Sequence, residues 1–192
     1  MKSWLRSFNI YLFAAAVFLA AGCGTHRLDK SKEYTFLRVF LEVHDGADTH
    51  AQMTRVARIP IYVESEPFLT EVDVSRAALV DFPDGTYAVQ VMFNEHGSLL
   101  LDMTSTSNKG LNLVVSLLFP PPGGKEPKNR EAPSVEKEVP GQPRVSSWSA
   151  VRITRNISNG TIQFTPDTTH AEAERIVRGL NNMVAEIEKM ER

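Results

Sequence analysis

The chain has 192 residues, 42% hydrophobic, 23% charged and 8% aromatic, with 21 basic against 23 acidic side chains, the profile of a globular protein with one core. This balance offers no clustered basic face of the kind that releases counterions from phosphates, so no nucleic-acid partner is expected. The single cysteine, Cys23, rules out a disulfide within one chain and leaves stability to packing.

Lys2 and Arg6 precede an uncharged apolar run, Ile10 to Leu19, that ends in small residues. That is the layout of a secretory signal, and it falls short of the roughly 20 apolar residues a membrane span needs. Leu19-Ala20-Ala21-Gly22-Cys23 resembles a bacterial lipobox, with Ala20 where the motif prefers leucine. The resemblance implies that residues 1–22 are removed, that Cys23 becomes the lipidated N-terminus (palmitate among its acyl chains), and that the mature chain carries a net charge of −4. Two or three acyl chains hold a protein stably on a membrane where one does not. An ordinary signal with a chance cysteine is the alternative. Gly24 and Thr25 follow the cysteine, and the absence of aspartate there implies sorting to the outer membrane, facing the periplasm. In a source with one membrane, the cell membrane takes its place.

Residues 23–33 read as a lipid-anchored tether and residues 34–119 with 145–192 as a single domain. Tyr34 to Val43 alternates, with Leu37, Val39, Leu41 and Val43 on one face, and predicts a half-buried strand. His44 to His50 breaks the pattern with turn residues, and a second extended run follows from Arg58 to Val63. Pro67 to Val80 reads as a loop with a short helix. Asp84-Gly85 marks a turn before a strand with Tyr87, Val89, Val91 and Phe93 on one face. Asn94 caps a helix from Glu95 to Ser107 that is expected to bury Leu99, Leu100 and Met103. Leu111 to Phe119 is almost continuously apolar, which suits a strand covered on both faces or central in its sheet. Residues 120–144, opening with Pro120-Pro121-Pro122-Gly123-Gly124, lack the apolar area to offset chain entropy and read as a disordered, proline-rich insertion.

Trp148, Val151, Ile153 and Ile157 suggest a strand, and the turn Asn159-Gly160 leads to Thr161–Phe164, so the two strands read as a hairpin. Thr169-His170-Ala171-Glu172 has the spacing of a capping box. The helix it opens carries Ala173, Ile176, Val177, Leu180, Val184 and Ile187 at helical spacing, with Glu174, Arg175, Arg178, Glu186 and Glu188 expected outward.

Ile61-Tyr62-Val63-Glu64-Ser65-Glu66-Pro67-Phe68-Leu69-Thr70-Glu71-Val72-Asp73-Val74 resembles the extended opening of the periplasmic head subdomain of the SecD/SecDF protein-export family. Val89 to Ser98 is similar to that subdomain's strand followed by Asn-Glu-x-Gly at a helix start. Asn108-Lys109-Gly110, the turn and strands of Ile157 to Phe164, and the helix Ala171 to Leu180 extend the likeness, in order, over residues 57–182. It implies a head-like α+β fold, a mostly antiparallel sheet with two main helices on one face, and contact with exported or envelope polypeptides. SecD carries membrane spans that conduct protons; this chain is expected to have none after cleavage and so is not itself a proton-driven motor. The insertion at 120–144 also interrupts the head where SecD continues with a tight turn.

His44, Asp45, Asp48 and His50 lie close enough to be metal ligands, but they match no standard spacing and a polar turn explains them. Gly97-Ser98 lacks the second glycine of a nucleophile elbow. Glu64, Glu66, Glu71 and Asp73 are paired carboxylates in sequence only, and no phosphate-cradling glycine loop occurs. No catalytic residue, cofactor or metal is therefore expected, and Cys23 is the one assigned site residue. The expected function is a non-catalytic, membrane-tethered binding module for envelope or exported polypeptides, using sheet edges for strand addition. The alternative is a structural lipoprotein of an envelope complex with no polypeptide client.

Overall fold

The computed structural model describes residues 32–43, 52–56, 59–120 and 145–190. Cys23, the signal, most of the tether, the His44–His50 cluster and residues 121–144 lie outside them. Strands β1 (Phe36–Leu41), β2 (Gln52–Val56), β3 (Ile59–Val63), β4 (Leu69–Thr70), β5 (Val74–Asp81) and β6 (Tyr87–Phe93) come before helix α1 (Glu95–Ser107). Strands β7 (Asn112–Phe119), β8 (Val145–Arg152) and β9 (Thr161–Phe164) come before helix α2 (His170–Met190). A 3-10 turn, Glu71–Asp73, joins β4 to β5.

The fold is α+β, and among the described residues every strand pairing is antiparallel. The strands form three groups, a four-stranded sheet in the order β4-β1-β7-β8, a three-stranded sheet β5-β6-β9, and the hairpin β2-β3. The apolar run of β7 makes it central, between β1 and β8. Its alternate side chains serve two cores: Leu113, Val115, Leu117 and Phe119 enter the main cluster, while Val114 joins Phe40 and Val63 in a smaller one on the opposite face. The main cluster joins both sheets to both helices through Leu101 of α1 and Ala173, Ile176 and Leu180 of α2. Burying twenty such side chains is the dominant favourable term for the fold.

Both helix starts follow from local chemistry. Asn94 Oδ1 accepts from the Gly97 N–H at 2.9 Å, satisfying an amide that the first helical turn leaves without a partner. Thr169 and Glu172 form the reciprocal box, with Thr169 N–H donating to Glu172 at 2.9 Å and Glu172 N–H to Thr169 Oγ1 at 3.3 Å.

The structure differs from the sequence reading at five places. Pro67 to Val80 is mostly strand, because a bulge between Val74 and Arg76 shifts the register of β5 and erases its period of two. β2 occupies residues where no strand was expected. Within α1, Leu99 and Met103 are exposed at 59% and 60%, and Leu101 is the fully buried one. Small residues decide this face. Gly97, Leu101 and Ser105 are spaced by four, Gly97 packs against Asp73 and Phe93, and Ser105 Oγ accepts from the Ile157 N–H at 2.8 Å. In α2, Glu186 is buried beside Lys189 (3.2 Å), and Arg175 is turned in to reach Glu33. Finally, β8 and β9 are not a hairpin, since β8 pairs with β7 and β9 pairs with β6.

Candidate peptide groove

Splitting β8 from β9 leaves two sheet edges side by side, and they can be followed group by group. The Phe93 N–H donates to the Gly160 carbonyl at 2.8 Å. Bonded pairs alternate along an antiparallel ladder, so Val91–Ile162 and Val89–Phe164 are the next bonded pairs. The peptide groups of Thr161, Gln163 and Thr165 consequently point off the outer edge of β9. Two contacts agree: the Thr165 carbonyl accepts from Ser149 Oγ of β8 at 3.1 Å, and the Thr161 N–H is taken by Asn159 Oδ1 at 3.3 Å. On β8, the Ile153 N–H donates to the Leu111 carbonyl at 2.9 Å. The same alternation makes Val151–Leu113 a bonded pair, so the peptide groups of Arg152 point outward.

Beyond the Ser149–Thr165 contact lies a half-open groove of about 460 Å³. Val151 and Arg152 of β8, Arg155 and Ile157 of the connecting loop, and Thr161 and Gln163 of β9 line it. Val151 and Ile157 are half-buried, whereas Arg152, Arg155 and Gln163 are exposed. Gly160, at φ 61°, adopts the left-handed conformation that the Asn159-Gly160 turn needs to start β9 here. The opposite edge of the three-stranded sheet is covered: α2 lies along β5, and Asn181 takes both peptide groups of Ala77 at 2.9 Å, acting as a one-residue substitute for a strand. Among the described residues, β9 pairs only with β6, so its outer edge is the open one.

Among the described residues, the other polar groups named in the sequence are bound into the fold or exposed. Asp73 is buried, accepts from the Thr70 N–H at 2.9 Å and meets His96 Nδ1 at 2.8 Å, tying the 3-10 turn to α1. Ser98 Oγ donates to the Phe93 carbonyl at 3.3 Å. The Glu64 N–H continues the β1 edge by donating to the Leu41 carbonyl at 3.0 Å, and Glu66 is exposed. Among the described residues, no group of three or more His, Cys, Asp or Glu side chains converges as metal ligands would. None of the groove residues stood out from the sequence. Asn159-Gly160 was visible as a turn, but the groove depends on which strand β9 joins.

No family model matches the sequence, and no curated protein matches it. Solved structures do. The chain is similar to SecDF in a structure titled for its super-membrane-facing form, with a TM-score of 0.50 at 16% identity over 78% of this chain and 19% of that one. It is also similar to SecDF in a structure described as a membrane component that enhances protein export, with a TM-score of 0.49 at 16% identity over 78% of this chain and 63% of that one. The chain thus spans less than two thirds of the length of either match. At this identity the likeness is one of fold, and the match with a TM-score of 0.50 bears out the SecD-like domain that the sequence motifs implied. Among the described residues, no helix is long and apolar enough to cross a membrane.

Proposed function

We propose that this chain is a non-catalytic binding module that captures extended polypeptides by strand addition to β9, held on the periplasmic side of a membrane by lipid on Cys23. The observation that carries the reading is the outward peptide group of Gln163, which faces a groove of about 460 Å³. Strand addition takes affinity from main-chain hydrogen bonds, so it tolerates many client sequences, as a module for exported or envelope polypeptides must. The SecDF-like fold supports that setting, and the export signal with its lipobox-like end supports the anchor.

Gln163→Pro tests the capture. Proline is tolerated at an edge position whose N–H faces outward, because it removes no bond from the existing ladder. The variant is expected to keep its thermal midpoint and lose affinity for an unfolded, carboxymethylated client in a pull-down or anisotropy titration. Unchanged affinity would overturn the reading in favour of a structural lipoprotein that only joins fixed partners. For the anchor, Cys23→Ser is expected to abolish incorporation of labelled palmitate in cells. Palmitate on the variant, or none on the wild type, would contradict lipidation at Cys23.

A further inference from the structure

Resting on that strand-addition reading, the groove's charge specifies the client further. Eleven residues line the groove and none is acidic, although the whole chain carries 23 acids against 21 bases. Arg152 ends β8 and Arg155 stands in the loop that closes the groove. Both are exposed, and neither makes an ion pair among the described residues. By contrast Arg175, the half-buried arginine of α2, is held by Glu33 at 2.8 Å. Two guanidinium groups with no ion pair among the described residues therefore flank an open strand edge, with the half-buried Val151 and Ile157 among the lining residues.

We infer that this groove selects extended polypeptide segments bearing aspartate or glutamate side chains, with the backbone paired to β9 and the carboxylates engaged by Arg152 and Arg155. Guanidinium groups bind carboxylates through paired, charge-assisted hydrogen bonds, which add orientation as well as attraction. In a strand, alternate side chains share a face and recur every ~7 Å. A segment with acids at alternate positions can thus present one carboxylate to each arginine while its main chain runs along Gln163. An internal acidic segment fits better than a chain terminus, because terminal carboxylates are typically captured by backbone amide nests and the cations here are side chains at the rim.

The test uses two fluorescently labelled peptides of about ten residues, a length that spans one strand with margin. One alternates threonine with glutamate and the other threonine with glutamine. Anisotropy titration of the lipid-free mature chain is expected to show the glutamate peptide binding about tenfold more tightly at low salt, with the preference shrinking as salt screens the rim. In the double variant R152Q/R155Q the two peptides should bind within about twofold of each other, with an unchanged melting curve because both arginines are exposed. Equal affinities in the wild type, or a preference that survives in the double variant, overturns acid selection while leaving strand addition standing. If neither peptide binds and the unfolded client does not either, both readings fall.

Discussion

Glu33 shows how one residue can fasten the start of the domain to its closing helix. Its carboxylate takes Arg175 Nε at 3.1 Å and Nη2 at 2.8 Å, while the same Nη2 also donates to the Pro120 carbonyl at 3.1 Å. The Arg175 hydrogen bond, assisted by the charges of Arg175 and Arg178, holds the Glu33 carboxyl below its usual 4.5. A carboxyl with a lowered folded pKa stabilises the fold above its unfolded pKa, and that contribution is lost as pH falls through the lower folded value. Glu33→Gln is therefore expected to lower the thermal midpoint at pH 7, with the difference from wild type shrinking below pH 4.5 and vanishing in stronger acid. A difference constant with pH would show that packing, not charge, fastens this segment. Local residues such as Asn94, Thr169 and Glu172 were legible in the sequence because their partners lie three positions away. Glu33 was not, since Arg175 is 142 positions distant, and charge alone cast Arg175 as solvent-facing.

At the scale of elements, α2 offers the clearest test of packing. Leu180 is 1% exposed in the main cluster, whereas Arg178 is exposed. Leu180→Ala removes buried methylenes and leaves a cavity, so it should cost about 2 to 5 kcal/mol in chemical denaturation. Arg178→Ala should cost within about 0.5 kcal/mol. Trp148, stacked on Phe40 with ring centroids 5.9 Å apart on the far side of the four-stranded sheet, reports whether unfolding reaches both faces together. Equal small effects would mean that α2 does not share the core. The sequence revealed α2 because polar residues separate its apolar ones. It hid the buried face of α1, where Leu99, Leu100, Leu101 and Met103 surround the axis and Gly97 and Ser105 make the choice. It hid β5 as well, where the bulge erases the alternation.

Across the whole molecule, the division of strands into two sheets creates the groove. That division depends on contacts between distant residues: β9 joins β6, about 70 positions earlier, although β8 lies nearer in the chain. Periodicity can announce a strand but cannot name its partner, so a hairpin of β8 and β9 was the natural sequence reading and the groove was invisible to it. The resemblance to the SecD head carried the α+β class and the order of elements, and the SecDF structure in its super-membrane-facing form bears out that fold. The proposed activity rests on the β9 edge of the three-stranded sheet, opposite the β5 edge that α2 covers. Amide hydrogen exchange with and without an extended client tests it most directly, because exchange reports each N–H separately. The Gln163 N–H is expected to exchange fast in the free protein and to slow on client binding, while Ile162 and Phe164, already bonded to β6, change little. Client binding that leaves Gln163 exchange unchanged would contradict it.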